Sequence, residues 1–211
     1  VTRKADWYFD FISPFAYLQN AGFYHLPDDL EVARKPVLFA GLLAHWEHKG
    51  PAEIPHKRVF TLRHTKWLAE RAGIPFKVVP AFPFHPIKAL RLAIALGSTS
   101  EVVGTIFNFI WGEGRDPNTD WPDFAAALGL TSEEADAKIN DPNVKAALIA
   151  NGEEALARGV WGVPSFIIDN QIFWGLDATE MLTDYLDNPG LFASEEMRRY
   201  DDLPVGIERR R

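Results

Sequence analysis

One junction constrains the head of this chain more than any other feature. The aromatic alternation DWYFDF at residues 6–11 reads as a β-strand and runs straight into Ser13-Pro14. Serine followed by proline marks a helix start, because the hydroxyl satisfies an orphan N–H and proline has none to lose. A helix from 14 to about 25 follows, and then a loosely alternating strand over 31–38. Two strands joined by a crossover helix pair in parallel. Near the other end, 165–168 and 172–174 read as short strands separated by Asp169-Asn170-Gln171, which predicts a β-hairpin. A last helix over 178–186 is stopped by Asn188-Pro189-Gly190.

Between these ends the periodicity is helical. Helices are predicted over 39–46, 56–72, 87–96, 100–111 and 121–128, over 133–140 behind a Thr131/Glu134 capping box, and from Asp141-Pro142 to about 158. PAFPFHP at 80–86 sustains neither regular element, since its prolines remove donors and restrict the residues before them. The order β-α-β, a block of helices, then β-β-α is an α/β chain with a thioredoxin-like layout and a large all-helical insertion. The expected division is 1–38 with 159–187 for the mixed part, 39–158 for the insertion, and 188–211 for a tail ending in Arg209-Arg210-Arg211. That tail is expected to be poorly ordered.

Composition narrows the chemistry. A formal net charge of −7 argues against a duplex nucleic-acid surface, which needs clustered Lys and Arg. No stretch approaches the roughly 20 consecutive apolar residues that span a bilayer, and the first six residues lack a signal-peptide core. The expectation is a cytoplasmic protein acting on small molecules, with no membrane partner. The sequence has no cysteine, which excludes structural disulfides, thiolate metal sites and a protein-borne thiol nucleophile.

Three local patterns bear on function. Ser13 sits at a helix N-terminus directly after a strand, where free N–H groups and the helix dipole favour a bound anion, a thiolate included. A serine there is more often only a cap. Gly162-Val163-Pro164-Ser165-Phe166 places a proline directly before a strand, where a cis peptide would expose the preceding backbone to pair with an extended ligand. Proline also opens strands for no functional reason. Phe173-Trp174-Gly175-Leu176-Asp177 brings an acid to the start of the final helix, suited to an amino-acid head group or simply to the helix dipole. Phe15, Trp46, Phe82, Phe84 and Trp111 serve equally as walls of an aromatic site or as core. Lys57 and Arg58 read either as attractors of an anion or as exposed helix charges.

Taken together, YFDFISPFAYL at 8–18, GPAEIPHKR at 50–58, GIPF at 73–76, WGEG at 111–114, GVWGVPSF at 159–166 and FWGLD at 173–177 resemble the 2-hydroxychromene-2-carboxylate isomerases. These are relatives of the kappa-class glutathione transferases in the DsbA-like branch of the thioredoxin fold. The resemblance implies glutathione as cofactor, a small aromatic substrate and a homodimer. It implies that Ser13, in place of a redox cysteine, hydrogen-bonds the glutathione thiolate as the catalytic residue. It further implies that Phe15 borders the cofactor, that Val163 before a cis-Pro164 pairs with its cysteinyl backbone, and that Trp174, Gly175, Leu176 and Asp177 hold its γ-glutamyl end. His48 stands where the family often has a glutathione-contacting Asn, and Ala178 where it often has Arg. The activity implied is isomerisation through transient thiolate addition to a conjugated enone. A kappa-type transferase or peroxidase, and a non-catalytic glutathione- or peptide-binding module, are the other readings.

Overall fold

The computed structural model describes residues 2–207. Four strands, β1 (Arg3–Phe9), β2 (Leu30–Pro36), β3 (Ser165–Ile168) and β4 (Gln171–Trp174), form one sheet in the order β2-β1-β3-β4. β1 pairs in parallel with β2, from Arg3 opposite Leu30 to Phe9 opposite Pro36. It pairs antiparallel with β3, and β3 pairs antiparallel with β4. The parallel first pair and the terminal hairpin are as predicted. The hairpin turns through Asp169 and Asn170, both at positive φ (51° and 64°), the backbone these short polar side chains tolerate best after glycine.

β1 is central, and its alternation supplies two cores. Trp7 and Phe9 face one side, stacked 4.3 Å apart, with Phe11, Phe107, Trp111 and Phe166 in the same cluster. Tyr8 faces the other, with Val37, Leu42, Val160 and Ile167. Covering both faces are the helices α1 (Pro14–Ala21), α2 (Phe39–His45), α3 (Pro55–Ala72), α4 (Ile87–Ala95), α5 (Ser100–Phe107), α6 (Trp121–Ala127), α7 (Ser132–Asn140), α8 (Pro142–Ala157) and α9 (Thr179–Asp187). The block of intervening helices shares its core with the sheet: α4 and α8 pack on β2, and α5 packs on α1.

Several element ends differ from the sequence reading: β1 spans Arg3–Phe9 where 6–11 is expected, and β2 ends at Pro36 instead of 38. α1 stops at Ala21, where the Gly22 N–H caps the last turn, and Phe23–His25 forms a separate 3-10 turn. α5 gives way after Phe107 to a π-helical turn over Asn108–Gly112, where a Cβ on Gly112 would collide with the Asn108 side chain. The segment after α9 is more structured than expected. Phe192 stacks on Tyr185 at 5.5 Å, and a short helix α10 (Glu195–Arg199) is capped by Ser194. Arg209-Arg210-Arg211 lies outside the described residues.

Candidate functional site

The site is built around the start of α1. Ser13 takes extended backbone (φ −89°, ψ 112°), and its Oγ accepts from the Ala16 N–H at 3.2 Å. With that lone pair engaged, the hydroxyl hydrogen is left to donate elsewhere. The turn that delivers Ser13 is held by Asp10, which is fully buried. Its carboxylate accepts from the Ile12 N–H at 3.0 Å and from the Phe39 N–H at 2.9 Å, and its main-chain carbonyl accepts from the Ser13 N–H at 3.0 Å. Burial pushes the Asp10 carboxyl up to about 7, against the downward pull of the two main-chain donors.

A second group of residues arrives from the end of the chain. The Val163–Pro164 peptide is cis, as the resemblance implied. The Pro164 carbonyl accepts from the Gly175 N–H at 2.8 Å, which ties the entry of β3 to the exit of β4. Val163 makes no main-chain hydrogen bond among the described residues. Glycine is required twice here. A Cβ on Gly162 would meet the Trp174 indole nitrogen at 2.5 Å, and Gly175 combines φ +96° with an Asp177 carboxylate oxygen 2.5 Å from where its Cβ would stand.

Gln19 couples the two groups. Buried on α1, it accepts from Trp7 Nε1 at 2.7 Å and donates from its amide nitrogen to the Gly175 carbonyl at 3.1 Å and to Thr179 Oγ1 at 2.9 Å. One side chain thus fixes the distance between the Ser13 helix and the β4–α9 turn.

Between them opens a mostly apolar cavity of about 430 Å³, lined by Phe15, His64, Leu68, Val163, Pro164, Trp174, Gly175, Leu176 and Asp177. The structure therefore brings Phe15 and all six candidates from 163–177 to one place. Ser13, largely buried, is two residues before Phe15 at the same helix start and does not itself line the cavity. His48 is elsewhere, exposed on the loop after α2, where its N–H bonds to the Leu43 carbonyl. Lys57 and Arg58 do not line the cavity either.

Of the candidate aromatic walls, only Phe15 serves as one. Trp111 and Phe84 are buried in the core, Phe82 packs against that core, and Trp46 uses its indole N–H to bond the Val160 carbonyl at 3.0 Å. His64, Leu68 and Gln19 went unrecognised in the sequence. A polar Gln on an apolar helix face was the one available signal; nothing local distinguished His64 or Leu68. Among the described residues no cluster of three or more His, Asp or Glu side chains stands ready for a metal ion. No described helix is long and apolar enough to cross a membrane.

A sheet of order β2-β1-β3-β4, a capped helix start after its first strand and a cis-proline opening its third define the thioredoxin-like class of protein. Within that class, the chain belongs to the DSBA-like thioredoxin domain family, whose model matches residues 4–187. It is 27% identical over 197 residues to a 2-hydroxychromene-2-carboxylate isomerase from Sphingobium xenophagum, covering 88% of this chain and 99% of the relative. It is 24% identical over 204 residues to glutathione S-transferase kappa 1 from Rattus norvegicus, covering 85% and 89%. A solved 2-hydroxychromene-2-carboxylate isomerase superposes with a TM-score of 0.75 at 22% identity, over 96% of this chain and 100% of that one. The cytosolic disulfide reductase DsbM from Pseudomonas aeruginosa, solved with GSH, superposes with a TM-score of 0.55 at 17% identity, over 94% and 97%.

Proposed function

We propose that the cavity holds glutathione and that the protein uses it for cis–trans isomerisation of 2-hydroxychromene-2-carboxylate or a similar aromatic unsaturated keto acid, as a cytoplasmic homodimer. The observation that carries this reading is the convergence of Phe15, Val163, Pro164 and residues 174–177 on one apolar cavity beside the Ser13-capped helix start. The names of the relatives point the same way.

The residues fit the tripeptide. The Val163 main chain, unpaired among the described residues and next to a cis-proline, suits an extended peptide added as a strand. Asp177 suits an ammonium group, and the start of α9 suits a carboxylate. When bound, glutathione supplies a thiol nucleophile that adds reversibly to a conjugated double bond and so permits rotation about it.

The chain's own part is positioning and electrostatics. The Ser13 hydroxyl and the α1 N-terminus stabilise negative charge on sulfur, which matters because a free thiol of pKa about 8.5 is mostly protonated at neutral pH. Phe15, Leu68 and Trp174 give the cavity an apolar wall beside the reacting atoms. The Gln19 link keeps the helix start and the β4–α9 turn in register.

The test is calorimetric titration of glutathione into the wild type and Ser13→Ala, with isomerisation followed in the same samples. Wild type should bind saturably, and Ser13→Ala should lose on the order of 100-fold in kcat. Binding without turnover would remove the isomerase reading, and absence of binding would remove glutathione. The kappa transferase relative favours a second reading, in which a conjugate is released; product analysis showing net loss of free glutathione would select it. Light scattering tests the dimer, with the mass of a single chain as the adverse result. Val59, Phe60 and Trp67, apolar and exposed along α3, support a partner on that side.

A further inference from the structure

Under the reading above, Val163, Pro164 and residues 174–177 are engaged by the cofactor, and the rest of the cavity lining is Phe15 from α1 with His64 and Leu68 from α3. His64 is the only basic side chain among the described lining residues. Its ring is framed by aromatics: Phe15 edge-on at 5.9 Å, Phe60 at 5.6 Å and Trp67 at 6.1 Å. These rings flank the imidazole, and among the described residues neither of its nitrogens is hydrogen-bonded.

We infer that His64 determines specificity for an acidic second compound, donating a hydrogen bond to its carboxylate while Phe15 and Leu68 pack on its aromatic ring. Asp177, the only acid among the described lining residues, repels a carboxylate, so the acid group is sorted toward α3. The assignment rests on the cavity being the cofactor and substrate site. It is read most directly by selectivity between an acid and a neutral isostere, because a merely structural role for His64 would weaken both alike.

The experiment measures equilibrium binding, without glutathione, of two probes to wild type, His64→Ala and His64→Gln. One probe is the open-chain trans-2-hydroxybenzylidene pyruvate. The other is 4-(2-hydroxyphenyl)but-3-en-2-one, a neutral ketone lacking the carboxylate. A hydrogen bond to a charged group is worth roughly 10-fold or more in affinity. Wild type should prefer the acid by at least about that factor, His64→Ala should lose the preference, and His64→Gln, which keeps an N–H donor, should restore part of it. An acid preference unchanged in His64→Ala, or no acid preference in wild type, would overturn the assignment. Glutathione titration of the wild type is a separate readout: absence of saturable binding there is failure of the cofactor reading, whereas the acid-to-ketone ratio across the variants reports on His64.

Discussion

Asp10 is the residue whose environment departs furthest from its chemistry. It carries a carboxyl in a site with no exposure, three positions before Ser13, and its protonated form is favoured there up to about pH 7. An unfolded Asp titrates near 3.9, so the folded state binds this proton more tightly than the unfolded state does. The stability that the protonated carboxyl contributes is therefore full below about pH 4 and is lost as pH rises through about 7, at up to about 1.4 kcal/mol per pH unit in that window. Asp10→Asn removes the titration. Urea unfolding at pH 5 and pH 8 should show the variant gaining on the wild type as pH rises; a gap independent of pH would count against a proton held at Asp10. Ser13 and His64 belong to the same scale but differ in kind, since one acts by capping a helix and the other by lining a cavity.

At the scale of elements, the site depends on α1 and the β4–α9 turn holding a fixed relation, and Gln19 is the side chain that sets it. Gln19→Leu would leave the buried Trp7 indole N–H, and the part-buried Gly175 carbonyl, without their partner. The expected cost is about 1–3 kcal/mol in urea unfolding, accompanied by weaker glutathione binding. A destabilised variant that bound glutathione as tightly as the wild type would separate Gln19 from the site. The aromatic packing beneath α1 is less specific. Phe107 on α5 touches Phe9, Phe11 and Tyr17 with ring centroids 4.7–6.1 Å apart, which joins the helical block to the sheet through shape and apolar area rather than through a single bond.

Across the whole molecule, the other face of the sheet is joined to the helical block by charge. Lys35 on β2 pairs with Glu154 on α8 at 2.5 Å and with Asp6 on β1 at 3.1 Å, Arg158 pairs with Asp6, and the Tyr8 hydroxyl donates to Glu154 at 2.9 Å. Partial burial raises the Glu154 carboxyl, but hydrogen bonds from Lys35 and Tyr8 outweigh it and hold the group below its usual range. A depressed carboxyl contributes stability above its unfolded pKa and loses it as pH falls through the folded value. Glu154→Gln should therefore be less stable than wild type at pH 7, with the difference closing below about pH 4; denaturant midpoints across that range check it. A difference that persisted in acid would mean that packing of the side chain, and not its charge, joins α8 to β2.

The sequence by itself determined what is written locally. The Asp6-to-Pro14 junction announced a strand and a capped helix, Thr131 with Glu134 announced another helix start, and Asp169-Asn170 announced the hairpin, because caps, turns and alternation act over a few residues. The three segments later found around the cavity were also legible, through Ser13-Pro14, Val163-Pro164 and Gly175-Leu176-Asp177. Only the tertiary structure decided which side chains share that cavity. Trp111 and Phe15 are both aromatics beside turns, yet one is sealed in the core with its N–H on the Phe11 carbonyl and the other opens onto the site. His48 and His64 are both single histidines in the helical block, and only α3's packing against α1 brings one of them to Phe15. Burial is a property of distances between elements far apart in the chain, and no spacing along the sequence encodes it.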